Sequence, residues 1–102
     1  MKKEIGIVIA CCRKHLQLKQ DYVVCKLDTT THAYANIECG RSDISSKKLI
    51  AVSKLFGLKA HQIIILAEEI MDVGRTDWLN DVVKGMIRQS KEKPHRRIDS
   101  NM

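Results

Sequence analysis

Apolar residues recur along most of the chain at intervals of three and four, which is the spacing of one face of an α-helix. The first such run is Ile5, Val8, Ile9, Cys12 and Leu16. It predicts a first helix from about Glu4 to His15. Gly6 lies inside this run and lowers its helix propensity only mildly.

Capping and turn residues mark two short helices after the first one. A second helix is expected from Gln20 to Leu27, followed by Asp28, a residue type that tolerates the left-handed backbone of helix ends. Thr30 is the best N-cap for a third helix that runs to about Cys39. Gly40 is a natural stop for that helix.

The second half of the chain repeats the helical pattern three times. A fourth helix is expected from about Ser45 to Phe56, and a fifth begins near Ala60 and breaks at Gly74. A last helix, from about Trp78 to Gln89, presents one apolar stripe formed by Trp78, Leu79, Val82, Val83, Met86 and Ile87. From Ser90 onward the sequence is polar and basic, and we expect disorder there.

The pattern therefore predicts an all-α protein of two parts. Residues 1–73 would form a five-helix domain, and residues 74–102 an extra C-terminal helix with a basic tail. The composition agrees, because aromatic residues are only 4% of the chain and its single proline, Pro94, lies in the tail.

The charge is unevenly distributed. The net charge is +6, and residues 1–61 hold 11 Lys/Arg against 5 Asp/Glu. Residues 62–83 hold 1 against 5, and residues 84–102 hold 6 against 2. A basic first segment suits a polyanionic partner, whereas the acidic segment is expected to face elsewhere.

The sequence offers little for a metal, a membrane or catalysis. The four cysteines form no CxxC pair, and no His was found at zinc-ligand spacing, so neither a metal nor another cofactor is expected. No signal peptide or membrane-length apolar run is visible, which favours a cytoplasmic protein with free thiols and no membrane partner. A P-loop, a GxGxxG loop and an HExxH motif are all missing, so we do not expect an enzyme.

Two short helices around the turn from Leu27 to Thr30 have the arrangement of a helix-turn-helix. In that motif the second helix enters the major groove of DNA and turns its first side chains toward base edges. From about Glu4 to Leu66 the chain resembles the XRE family, the lambda-repressor/Cro type of helix-turn-helix domain. The resemblance is carried by Gly6, Arg13, Leu18, Gln20, Val23, Leu27, Thr29, Thr30, Ile37, Glu38, Gly40, Leu49, Leu55, Gly57, Leu58 and Ile63.

The resemblance implies a DNA-binding surface. Gln20 matches a residue that touches a phosphate and braces the third helix. Base-reading positions match Thr31, His32 and Asn36, with Ala35 on the same face and the N-cap Thr30 beside them. Arg41 and Ser42 match a loop that contacts phosphate.

The resemblance also implies a structural ion pair between Arg13 and Glu38, joining the first helix to the end of the third. Four residues depart from the family pattern. The family usually has a small cap at Lys19, Ala at Val24, Gly at Asp28 and Ala at Ser53.

The resulting hypothesis is a transcriptional regulator, a homodimeric repressor that reads palindromic double-stranded DNA. The stripe from Trp78 to Ile87 is the expected dimer interface, with packing on the same chain as the alternative. An acidic surface in residues 62–83 leaves activation through RNA polymerase open. The alternative function is an antitoxin that binds its own operator and holds a toxin protein through residues 76–102.

Overall fold

A computed structural model describes residues 1–92, with side chains described to Gln89. Within this range the chain forms no β-strand, and the prediction of an all-α protein is confirmed. The helices are α1 (Lys2–His15), α2 (Gln20–Leu27), α3 (Thr31–Glu38), α4 (Ser46–Leu55), α5 (Ala60–Val73) and α6 (Leu79–Glu92). The predicted basic tail lies outside the described residues from position 93 onward.

The helices end where the turn chemistry of the sequence predicts. Asp28 takes the left-handed conformation after α2, with φ 55° and ψ 53°, and Gly74 does the same after α5, with φ 77°. Thr30 caps α3 by accepting a 3.1 Å hydrogen bond from the amide of Ala33. Because these caps fix where each helix starts and stops, α2 and α3 are joined by only three residues, as a helix-turn-helix requires.

Helix α1 is the central element. Its sequence from Ile5 to Cys12 is apolar on every side, and such a helix has to be covered by neighbours all round. It packs against α3, α5 and α6, while α2 packs on α3 and α4, and α4 packs on α5. The fully buried core of these contacts includes Val8, Ile9, Cys12, Val23, Tyr34, Val52, Ile63 and Val83.

A close approach between α1 and α3 depends on Gly6. A Cβ atom at this position would lie 2.3 Å from the carbonyl oxygen of Ile37 and 2.8 Å from that of Glu38. Gly40, at φ +80°, also passes close to α1, since a Cβ atom there would lie 2.7 Å from the Cα of Lys3. Two glycines therefore let the C-terminal end of α3 dock directly on the first two turns of α1.

Helix α6, which carries the predicted apolar stripe, packs on α1 of its own chain. Leu79, Val83 and Ile87 are at most 6% exposed and face α1 of the same chain. This burial favours the alternative of packing on the same chain, and a dimer contact through the stripe stays a prediction. The physical reason for the packing is that α1, apolar all round, needs a third covering helix. Val82 is 40% exposed, whereas Trp78 and Met86 are half-buried. Helix α6 also continues to Glu92, three residues beyond its expected end.

Two departures from the family pattern are accommodated locally. Ser53 is buried, and its hydroxyl donates a 2.7 Å hydrogen bond to the carbonyl of Leu49 one turn earlier. Lys19 precedes α2 without a side-chain capping bond. Neither residue interrupts its helix.

Among the described residues, no single helix is long and apolar enough to cross a membrane. The pair α4 and α5 meets the requirements of length and composition only when taken together, and its members are bent 102° from each other.

Candidate nucleic-acid interface

Helix α3 has one buried face and one face open to solvent. Tyr34 and Ile37 point into the core. On the other side Thr31 and His32 are exposed, and Ala35 and Asn36 are partly exposed. The structure thus brings the three predicted base-reading positions and Ala35 onto one outer face, because residues three and four apart in a helix are neighbours.

The polar groups on this face are already ordered by contacts with each other. The Asn36 side-chain amide lies 3.4 Å from Nε2 of His32, one turn earlier. The backbone carbonyl of Asn36 accepts hydrogen bonds from the amides of Arg41, at 2.9 Å, and Ser42, at 3.2 Å. These bonds hold the loop after α3 beside the outer face, and both loop side chains are exposed.

Behind the outer face, Glu38 joins α3 to α1 and α2. Arg13 donates to it through Nε, at 2.7 Å from Oε2, and through Nη2, at 3.1 Å from Oε1. Gln20 donates from Nε2 to Oε1 at 3.0 Å, and the Tyr34 hydroxyl donates to Oε2 at 2.5 Å. Arg13 also donates from Nη1 to the carbonyl of Leu18 at 2.8 Å.

This arrangement, which we call the Glu38 cluster (Arg13, Gln20, Tyr34 and Glu38), is shielded from solvent. The side chains of Arg13 and Glu38 are only 11% and 7% exposed. Burial alone would raise the pKa of Glu38, but the hydrogen bonds from Arg13, Tyr34 and Gln20 outweigh it and hold that pKa below its usual value. The carboxylate is therefore ionised at neutral pH and accepts four hydrogen bonds from three residues.

The contacts within the cluster also shift the pKa values of Tyr34 and Arg13. Burial, reinforced by the bond to Glu38, raises the pKa of Tyr34, so its hydroxyl stays protonated and donates. The hydrogen bond to Glu38 raises the pKa of Arg13. At neutral pH the cluster therefore keeps one protonation state, with Glu38 ionised and Tyr34 protonated, and it holds α3 against α1 and α2.

Gln20 has two predicted roles, and the geometry bears on only one. Its amide nitrogen braces α3 through Glu38. An amide nitrogen carries two hydrogens, so the second is free for a phosphate contact, which stays a prediction.

Two contributors were missed from the sequence. Tyr34 was not predicted as a member of the cluster, although its spacing of four from Glu38 was a signal that the two side chains meet. Lys3 reaches the neighbourhood of the α3 loop because its backbone packs on Gly40. That placement arises from tertiary contact, and no local pattern reveals it.

Scans against protein-family models and curated proteins gave no match. Among solved structures, the chain is similar to the clp gene regulator ClgR from Corynebacterium glutamicum. The TM-score is 0.68 at 16% identity, and the alignment covers 94% of this chain and 95% of that one. The likeness extends over nearly the full length of both proteins, and it shows that this chain shares the fold of a gene regulator.

Proposed function

We propose that this protein is a sequence-specific DNA-binding transcriptional regulator of the XRE type, and that α3 is its recognition helix. The observation that carries the proposal is the outer face of α3. It exposes Thr31, His32 and Asn36 together, while the Glu38 cluster holds the opposite side of the helix rigid. A rigid helix with short polar side chains suits the major groove of DNA.

Each polar side chain on that face has a chemistry that base edges can use. The amide of Asn36 can pair with adenine through two hydrogen bonds, and Thr31 can contact a thymine methyl group. His32 can donate to an acceptor on guanine. The contact between His32 and Asn36 would then be exchanged for contacts to bases.

Groups around this face supply the phosphate contacts in the proposal. Arg41 and Ser42 follow α3 directly and are exposed, and Thr30 and Gln20 stand at the starts of α3 and α2. Such contacts position a protein on the duplex without reading its sequence. The likeness to a gene regulator over most of the chain is consistent with this arrangement.

We further propose that the protein acts as a homodimeric repressor. A twofold dimer reads a palindrome, and occupancy of a promoter site is enough for repression. Since α6 buries most of its stripe on α1, the second copy would meet other apolar side chains. Large exposed ones near the C-terminal half include Ile65, Met71 and Val73 of α5 and Val82 of α6.

Selection from random-sequence DNA tests the proposal. The purified protein would be challenged with the pool at about 150 mM salt, near physiological ionic strength, where non-specific binding is weak. We expect a short palindromic consensus and two protomers on each selected duplex. A pool that shows no enrichment would contradict sequence-specific regulation, whereas an enriched site without symmetry would contradict the dimer alone.

A further inference from the structure

The side chain of Lys3, in α1, packs against the loop after α3. A Cβ atom placed on Gly40 would lie 2.7 Å from the Cα of Lys3, 3.2 Å from its Cβ and 3.4 Å from its Cγ. Glycine leaves room for this approach, since a larger residue would meet both the backbone and the side chain of Lys3. The first part of the Lys3 side chain is therefore held next to the loop.

The same loop carries residues that the proposed function assigns to phosphate contacts. Arg41 directly follows Gly40, and its amide donates a 2.9 Å hydrogen bond to the carbonyl of Asn36. Asn36 belongs to the outer face of α3. A continuous series of contacts thus leads from Lys3 through the loop to that face, and it brings two cations that are far apart in the sequence to one edge of α3.

The charge of Lys3 is available to a ligand. Lys3 is exposed, and within the described part of the chain its side chain makes no hydrogen bond or ion pair. The neighbouring carboxylate, Glu4, pairs with the N-terminal ammonium at 3.4 Å. Asp43, the carboxylate of the loop, is exposed and forms no ion pair with Lys3 or Arg41. An anion from outside the chain can therefore meet the ammonium group of Lys3.

We propose that Lys3 contacts a phosphate of bound DNA, so that the interface extends from the helix-turn-helix onto the first turn of α1. This inference rests on the proposed function, because it requires that α3 faces a duplex. Each DNA strand carries a phosphate about every 3.4 Å along the helix axis, so Lys3 and Arg41 can meet separate phosphates. Such a contact positions the protein and reads no sequence.

The test is the salt dependence of DNA affinity, measured by anisotropy for the unaltered protein, Lys3→Met and Lys3→Arg. Methionine keeps an apolar stem against Gly40 and removes the charge, whereas arginine keeps the charge. Lys3→Met should reduce the slope of log affinity against log salt by about 1, equally on selected and unrelated DNA, because one phosphate contact is lost. Lys3→Arg should retain the slope.

Lys14→Met is the matched control. Lys14 is also an exposed lysine of α1, about three turns and about 16 Å further along the same side of the helix. This separation exceeds the Debye length of about 8 Å at physiological ionic strength, so the slope should not change. Lys3→Met combined with Arg41→Ala should lower the slope by about 2, since the two residues meet separate phosphates.

An unchanged slope in Lys3→Met overturns the inference. An equal fall in Lys14→Met also overturns it, because the effect would then follow net charge alone. A fall confined to the selected site, or an Arg variant that loses the slope as the Met variant does, would show that Lys3 does not act through a phosphate. The proposed function fails separately, through a pool without enrichment, and the slope on unrelated DNA still tests Lys3 in that case. A protein that binds no DNA overturns both.

Discussion

At the scale of single residues, Gly6 has a structural role in α1 that its weak helix propensity does not indicate. Gly6→Ala would place a methyl group against two backbone carbonyls of α3, and backbone cannot rotate away as a side chain can. We expect a loss of roughly 1–3 kcal/mol in the free energy of unfolding, as for other overpacked cores.

Gly85→Ala is the matched control for Gly6→Ala. It is also a glycine within a helix, but a Cβ there meets nothing within 4 Å. Alanine should therefore stabilise α6 by up to about 1 kcal/mol through propensity alone. Urea unfolding of both variants measures the difference, and equal effects of the two substitutions would argue against the close approach of α1 and α3.

The Glu38 cluster should make the free energy of unfolding depend on pH. The pKa of Glu38 is depressed in the folded chain, so its contribution is complete above its ordinary pKa of about 4.3 and is lost as pH falls through the lower folded value. Glu38→Gln should cost about 2 kcal/mol at neutral pH, a typical value for bonds to a charged group.

Unfolding curves of both proteins between pH 7 and acid measure this contribution, because the other carboxylates are common to both. The difference in stability should shrink below the ordinary pKa of the carboxyl group. A difference that stays constant down to strong acid would show that ionised Glu38 does not stabilise the fold.

Residue pairs were only partly predictable from the sequence. The pairing of Arg13 with Glu38 was accessible only through the family resemblance, since 25 residues separate the two. Asp28 and Thr30 were predictable, because capping and left-handed turns depend on local chemistry. The approach of Gly6 to α3 was not, because a glycine carries no side chain whose pattern reveals a neighbour.

At the scale of elements, apolar periodicity located the helices but not the partner of α6. A stripe shows which face is buried and leaves open what covers it. The sequence of α1 did indicate the partner of α6. Its apolar residues lie on every side, so α1 needs a third covering helix besides α3 and α5.

Two adjacent valines in α6 test whether it packs on its own chain. Val83 is fully buried and Val82 is 40% exposed. Val83→Ala should cost about 2 kcal/mol from two lost methyl groups and the cavity they leave, whereas Val82→Ala should cost less than about 0.5 kcal/mol.

Thermal unfolding at two widely separated protein concentrations measures both effects. The penalty of Val83→Ala should be the same at either concentration, because the contact is within one chain. A penalty that grows on dilution would instead place Val83 in an interface between subunits.

At the scale of the whole molecule, the charge distribution predicts how binding responds to salt. Arg41 is exposed beside α3 and is proposed to contact phosphate, so Arg41→Ala should weaken binding to all DNA sequences to a similar extent. It should also reduce the slope of log affinity against log salt by about 1. Anisotropy titrations on the selected site and on unrelated DNA measure both quantities, and a loss confined to the selected site would assign Arg41 to base reading instead.

The central claim is that the outer face of α3 reads base sequence. The most direct measurement is the ratio of affinities for the selected site and for unrelated DNA, in a triple variant carrying Thr31→Ala, His32→Ala and Asn36→Ala. A control variant carries His61→Ala and Thr76→Ala, at exposed positions outside α3. Since one good base contact contributes about 1–3 kcal/mol of discrimination, the triple variant should lose roughly 100-fold or more of this ratio and the control none. An unchanged ratio in the triple variant would contradict the claim and place sequence recognition outside this helix.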